Sequence, residues 1–191
     1  MATASRATSS AARRLVRADF NRPTLTVTRD LLGKFIVRNI DGRERAGMII
    51  EAEAYQGPRD RASHACGGRR TARVEPIYGE GGTAYVYLCY GIHWLLNFAT
   101  VGKDKPQCVL IRAVLGEKQQ RVVGPGNVTR YLEIDKRLNG VDVTTSHEMW
   151  VEDRGIRVSM RDITRGPRVG VDYAGAYWAA RKWRFRIDAK S

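Results

Sequence analysis

Glu51, Glu53 and Tyr55 alternate along a run of mostly small and aliphatic residues, Ala46 to Tyr55. On a strand this spacing sends all three side chains to one face and Met48, Ile50, Ala52 and Ala54 to the other. A carboxylate beside an aromatic ring on such a face can take a proton from water as a general base, and Glu53 is the first candidate. A strand glutamate that meets solvent or pairs with an arginine has the same pattern. Arg112 bears on the choice, because it stands among Val109, Leu110, Ile111 and Val114. A guanidinium in an apolar strand needs an anionic partner to be buried at tolerable cost, and a site carboxylate supplies one. Such a pair would hold Glu53 ionised.

A second constellation is aromatic. The segment from Thr83 to Asn97 carries no formal charge and holds Tyr85, Tyr87, Tyr90 and Trp94, in a chain with 33 Lys plus Arg against 20 Asp plus Glu and a net charge of +13. Aromatic rings beside strong positive charge suggest stacked bases beside bound phosphates. Tyr85 and Tyr87 share a strand face, where ordinary half-buried packing is the more common reason for a tyrosine. Tyr90 stands at an expected hairpin tip, exposed without a packing reason, and a wedge into a base stack is one use for it. Asn97 suits either a strand-end hydrogen bond or the reading of a base edge. His64 suits either a loop or a pocket wall.

The basic excess is clustered. Arg59, Arg61, Arg69, Arg70 and Arg73 surround one acid, Asp60, and Arg181, Lys182, Arg184, Arg186 and Lys190 surround Asp188. Clusters of this kind are either solvated surface or anion-binding surface, and the dominance of arginine suits phosphate. Three scattered cysteines, Cys66, Cys89 and Cys108, form no disulfide framework or zinc cluster, and His64, His93 and His147 have no metal-ligand spacing. Neither a metal nor a cofactor is expected.

The elements that must position these residues follow from local signals. Asp30 to Lys34 reads as a helix end closed by Gly33, then Phe35 to Arg38 as a strand, Asp41-Gly42 as a turn and Ala46 to Tyr55 as the next strand. Gly57 to Gly82 is long, irregular and rich in Arg and Gly, which marks a functional or disordered loop. Thr83 to Cys89 and Trp94 to Ala99 read as a hairpin about Tyr90-Gly91, and Gln107 to Val114 as a further strand. Gly124 to Asn127 is expected to be a turn before a short helix over Val128 to Ile134. Met149 to Val151, Ile156 to Val158 and Trp183 to Ile187 read as strands. With no strand-helix rhythm, the expected fold is mixed α/β (α+β): one domain built on a curved antiparallel sheet, with surrounding helices and a protruding β-hairpin. Residues 1–20 are expected to form a disordered basic arm and residues 21–191 the domain. The uncharged stretch from Gly81 to Gly102 is broken by tyrosines, Gly, His and Asn and alternates as a strand does, so no membrane association is expected and the protein reads as soluble.

Taken in order, Glu51 to Pro58, His64, Gly82 to Gly91 and Asn97 resemble the alkyladenine (3-methyladenine) DNA glycosylase family. The likeness continues through Val109 to Ala113, Gly124-Pro125-Gly126 and Arg165 to Val171, and spans roughly Leu31 to Ile187. The resemblance implies a monomeric DNA repair enzyme that flips an alkylated or deaminated purine, such as hypoxanthine, out of duplex DNA and hydrolyses its N-glycosidic bond, leaving an abasic site. By the same likeness Glu53 is the general base and Arg112 positions it and the water. Tyr55, His64 and Tyr87 are the walls of the base pocket, Asn97 screens the base, and Tyr90 intercalates. Arg69, Arg73 and Tyr85 are candidates for the DNA backbone. No lysine occupies the matched catalytic position, so a monofunctional enzyme is expected. Its expected location is the cytoplasm or nucleoid in a prokaryote, and the nucleus or an organelle in a eukaryote. Two departures stand out: Ala72-Arg73-Val74 follows Thr71 where the family has Pro-Arg-Asn, and Asn127 stands where Lys is usual.

Two other functions fit part of the pattern. One is a catalytically silent module that senses distorted duplex DNA, and the other is a basic RNA-binding protein whose tyrosines stack single-stranded bases. Neither has a use for a carboxylate between aromatic walls, where it would repel phosphate.

Overall fold

The computed structural model of the chain describes residues 12–187. They form one mixed α/β domain in which a single antiparallel sheet of ten strands carries four short helices. The sheet runs β1 (Arg13–Arg14), β8 (Met149–Asp153), β2 (Phe35–Ile40), β3 (Arg43–Tyr55), β6 (Gln107–Gly116), β5 (His93–Thr100) and β4 (Ala84–Cys89). Off this path, β7 (Arg121–Val123) pairs with β6, β10 (Arg184–Ile187) pairs with β3, and β9 (Ile163–Gly166) pairs with β10. No helix among the described residues is long and apolar enough to cross a membrane.

β3 is the axis of the sheet. Its first half pairs with β2, its second half with β10, and β6 runs along its other edge. Asp41 and Gly42 join β2 to β3 with φ of 49° and 82°, the left-handed pair that a tight hairpin turn requires. The β3–β6 register shifts twice, between Ile49 and Glu51 and again between Glu51 and Ala52, so that Ile50 on one strand and Arg112 on the other are left out of the pairing. Such irregularities re-aim a side chain and deepen the local twist. Here they interrupt the uniform alternation expected over residues 46–55, which resumes at Ala52.

One large apolar cluster fills the sheet face covered by α2 (Thr24–Asp30) and α3 (Pro125–Tyr131), with Ile36, Ile49, Ala52, Phe98, Ile111, Val128 and Leu132 fully buried. A smaller cluster of Ala65, Val74, Ile77, Tyr78, Tyr85 and Cys108 packs under the loop from Gly57 to Gly82. Val74, one of the departures from the family pattern, is therefore a core residue of that loop. The loop itself is three 3-10 turns, Gly57–Arg59, Cys66–Gly68 and Glu75–Tyr78, tied down by Asp60. Asp60 accepts the backbone N–H of Gln56 and of Ala62, and forms a fully buried ion pair with Arg168 at 2.5 Å. It is therefore not the counter-ion of the loop arginines. Arg70 pairs instead with Glu75 and Asp104.

Three expectations are corrected. The ordered domain does not begin at residue 21: Arg13–Arg14 pairs with β8, Leu15 is buried, and Phe20 at the end of α1 (Arg17–Phe20) packs edge-on against Phe98 at 5.9 Å. Burial of such side chains contributes about 1.5–3 kcal/mol each, enough to hold a basic segment against the sheet. Residues 1–11 of the expected arm lie outside the described residues. Gly124 to Asn127 is not a turn before a helix, because α3 already starts at Pro125, in the first-turn position that proline favours. Ile156 to Val158 forms no strand. Val158 packs over Gly33, where a Cβ would meet it at 2.8 Å, so its apolar pattern serves packing rather than pairing.

Candidate active site

Glu53 lies in the middle of the sheet, fully buried, opposite Leu110 on β6 and Arg184 on β10. Its Oε2 accepts the Tyr55 hydroxyl at 3.0 Å, and its Oε1 accepts the backbone N–H of Val169 at 2.8 Å. Arg112, re-aimed by the irregular register of β6, brings Nη1 to 3.5 Å from Oε2 and Nε to 3.4 Å from Oε1. The same Nε lies 3.2 Å from Glu51, which also meets Arg184 at 3.4 Å. Two carboxylates thus face two guanidiniums, and the anionic partner expected for Arg112 is present.

Burial pushes the Glu53 carboxyl above the ordinary glutamate range, against the pull of Arg112, the Val169 N–H and the Tyr55 hydroxyl. The pair with Arg112 was expected to hold Glu53 ionised. It favours the ionised form, but desolvation is the larger effect. Burial beside this carboxylate also raises the Tyr55 phenol well above its usual value, so Tyr55 remains a donor.

In front of Glu53 opens a cavity of about 410 Å³, a size typical of small-molecule sites. Tyr55, Arg112 and Val169 line it and also hold Glu53, so the carboxylate sits directly behind the wall. His64, Tyr87, Asn97 and Tyr90 line it as well. The aromatic groups are mutually ordered. Tyr87 stacks on Tyr85 at 5.1 Å with 28° between planes, and His64 meets the Tyr87 ring edge-on at 4.7 Å. His64 Nδ1 lies 2.9 Å from the Tyr85 hydroxyl. Burial, with help from Arg73 and Arg69, lowers the His64 pKa, which favours a neutral imidazole. Asn97 is held by its own bonds: its Nδ2 donates to the Tyr85 carbonyl at 3.2 Å, and its Oδ1 lies 3.8 Å from the Cys108 thiol.

Of the three candidates for the DNA backbone, Tyr85 is corrected. It is 1 % exposed, its hydroxyl is engaged by His64, and its ring lines the cavity stacked against Tyr87. Its strand position is compatible with both readings, and only the loop packed over it removes it from solvent. Arg73 is exposed at the edge of the cavity, donates to the Leu88 carbonyl at 3.2 Å and lies 5.7 Å from the Tyr87 ring. Arg69 is exposed and does not line the cavity.

Tyr90 stands beside the cavity, 93 % exposed. The hairpin of β4 and β5 closes with Cys89 opposite His93, leaving Tyr90, Gly91 and Ile92 as its tip. Tyr90 and Gly91 have φ of 50° and 71°. A bulky residue in this region is strained by about 1–2 kcal/mol, so an aromatic side chain is held there against backbone preference. The base of the hairpin rests on α3: Thr129 Oγ1 donates to the Trp94 carbonyl at 2.6 Å, and a Cβ at Gly126 would lie 2.8 Å from the His93 ring. Glycine at that position lets the helix approach.

Sequence reasoning missed several participants. Val169 acts through its backbone N–H, which no residue type reveals. Arg168 is sandwiched between Tyr55 at 4.7 Å and Trp183 at 4.9 Å while its guanidinium binds Asp60, so it fixes the rear of the Tyr55 wall. Both lie within the Arg165 to Val171 run that carries the family likeness, which was the available signal. A larger hollow of about 1570 Å³ lies between α2 and residues 153–160, but each of its three carboxylates is already paired, in Arg13–Asp19, Arg22–Asp30 and Lys34–Asp153. It contains none of the candidate residues, and the smaller cavity is the chemically equipped one.

Comparison with known proteins shows the family of the chain. The family model described as methylpurine-DNA glycosylase (MPG) matches residues 18–191. Bacterial proteins named "Putative 3-methyladenine DNA glycosylase" are similar to the chain along most of their length. That of Clostridium perfringens strain 13 is 39% identical over 91% of this chain and 95% of its own. Those of Borreliella afzelii and Desulfitobacterium hafniense are 38% identical over 88% and 93%, and 37% identical over 92% and 96%, respectively. The chain, with its buried carboxylate behind an aromatic cavity, belongs to the methylpurine-DNA glycosylase family.

Proposed function

We propose that the protein is a monofunctional DNA glycosylase that extrudes damaged purines from duplex DNA and hydrolyses their N-glycosidic bond, leaving an abasic site. The observation that carries this reading is the Glu53 carboxylate, buried behind a cavity whose walls are Tyr55, His64 and Tyr87 and whose edge bears the exposed Tyr90. A purely binding surface has no use for a buried carboxylate, whose desolvation costs several kcal/mol.

Extrusion of a base costs a few kcal/mol and is cheapest for a damaged one, so selection begins before chemistry. Tyr90, at the hairpin tip, fills the vacated stack. The flipped purine lies between Tyr55 and the His64–Tyr87 wall, where stacking returns roughly 1–3 kcal/mol. Asn97, with its amide already committed to Tyr85 and Cys108, screens the base edge. Arg112 makes the longest contacts to Glu53, so a water can take the place of one of them and remain held by both groups. As the bond to the base breaks, its electron pair leaves with the base and positive charge develops at the sugar. Glu53 stabilises that charge and accepts the proton of the water that adds to C1′. A cationic alkylated base departs neutral by this route. No lysine lines the cavity among the described residues, which supports hydrolysis without a Schiff base.

The test is incubation with duplex oligonucleotides carrying a single 3-methyladenine, hypoxanthine or ethenoadenine, followed by alkali. Strand cleavage only after alkali is expected for at least one lesion. Absence of cleavage on all three overturns the proposal, and cleavage without alkali overturns its monofunctional part.

A further inference from the structure

The segment that follows β9 carries more than support for Glu53. Arg168 anchors it in the core, Val169 gives its N–H to Glu53, Gly170 turns with φ of 71°, and Val171 is buried again. Tyr173 then returns to the cavity, which it lines, yet it is 71 % exposed. Its hydroxyl donates to the Ala62 carbonyl at 3.0 Å, on the loop that carries His64. This bond pins the phenol end and leaves the ring presented to solvent in one orientation.

The cavity therefore has exposed aromatic side chains on two independent elements, Tyr90 from the hairpin and Tyr173 from this strap. Neither is needed to fill a core. A base lodged in the cavity leaves its sugar and the adjoining nucleotide outside, against whatever borders the opening. The strap continues into cationic surface: Arg181 covers the exposed Tyr177 ring at 3.9 Å, and Arg165 is exposed beside Lys182. Aromatic surface bordered by arginine matches a nucleic-acid strand in shape and charge.

Building on the function proposed above, we propose that the strap from Arg168 to Ala174 is a second DNA-contact surface, in which the Tyr173 ring packs against the nucleotide that adjoins the flipped one on the same strand. Tyr90 engages the gap in the duplex, and Tyr173 engages the strand that has been drawn out. Because Val169 belongs to the same strap, contact at Tyr173 also holds the N–H that orients Glu53.

The test is equilibrium binding by fluorescence anisotropy, with the full chain in a Glu53→Gln background to prevent turnover and a duplex carrying one hypoxanthine. Tyr173→Ala is expected to weaken binding about tenfold, the value of one lost stacking contact. Tyr173→Phe keeps the ring and is expected to bind within about threefold of the Tyr173 protein. On duplexes shortened to end beside the lesion, on one side or the other, the Tyr173→Ala defect is expected to vanish for one of the two. Equal binding by Tyr173→Ala and its parent on the full duplex overturns the inference. So does an equal loss in Tyr173→Phe, which would reduce the residue to a clasp on Ala62, or a defect that persists on both shortened duplexes. These ratios do not depend on base release, so failure of the excision assay with the unmodified chain is a separate result.

Discussion

Replacing Glu53 with glutamine tests the chemistry most directly, because the contacts of the carboxylate permit the two consequences to be separated. Its Oε1 faces the Val169 N–H, and its Oε2 faces the Tyr55 hydroxyl and Arg112. A glutamine satisfies this arrangement by turning its carbonyl to Val169 and its amide to Tyr55, whose hydroxyl then rotates to accept. Arg112 loses its contact with Oε2 and keeps those with Oε1 and Glu51. Hydrogen bonds to a charged group contribute about 1.5–3 kcal/mol, offset by the relief of a buried charge, so the net loss of stability is expected to be about 1–3 kcal/mol. For a chain of this length that is a fall in Tm of roughly 2–12 °C. The effect on chemistry is larger: loss of the general base is expected to slow base release by about 10²–10⁴-fold. The assay is single-turnover release from a lesion duplex under excess enzyme, with a thermal melt of the same sample and the affinity for the duplex measured alongside. Affinity is expected to be retained, since the aromatic walls and Tyr90 are untouched. A release rate within about threefold of the parent, in a variant that binds and melts as described, refutes the assignment of Glu53 as the base.

Further outcomes follow from the same geometry. Glu53 must be deprotonated to act and its pKa is raised, so activity is present above that pKa and lost as pH falls through it. The acid limb of the single-turnover rate should lie above the ordinary glutamate value of about 4.3, and a limb at or below that value contradicts the dominance of burial. Arg168→Met leaves Asp60 buried without its partner and removes the cation behind Tyr55, and denaturant titration should show a loss of about 3–5 kcal/mol. A loss below about 1 kcal/mol would show that this pair does not organise the loop. Phe20→Ala removes a fully buried ring from the core and should cost about 3–5 kcal/mol by the same measurement, whereas a segment outside the domain would tolerate it.

Much of the site was legible before the fold. Alternation along β3 put Glu51, Glu53 and Tyr55 on one side, and an arginine in an apolar strand pointed to a buried anion, because both signals come from local periodicity and the cost of burying charge. The Asp41-Gly42 turn and the Tyr90 hairpin were legible for the same kind of reason, as their backbone angles are demands on single residues. The short strands β7 and β9 and the N-terminal pairing of Arg13–Arg14 were not. Each is two to four residues long and is held by its neighbour rather than by its own pattern.

Residue type and spacing marked a carboxylate, a guanidinium and a set of aromatic rings as candidates, and the family resemblance joined them into one site. Their roles relative to solvent were decided in three dimensions. Tyr85 and Tyr87 lie two positions apart on one strand and both line the cavity, yet Tyr85 is buried beneath the loop from Gly57 to Gly82 while Tyr87 is only half-buried. The direction of the Glu53 pKa is a balance between desolvation and Arg112, and that balance depends on which groups pack around the carboxylate. Val169 enters only there, as a backbone donor more than a hundred residues away in sequence, because a hydrogen bond to the main chain leaves no trace in side-chain chemistry.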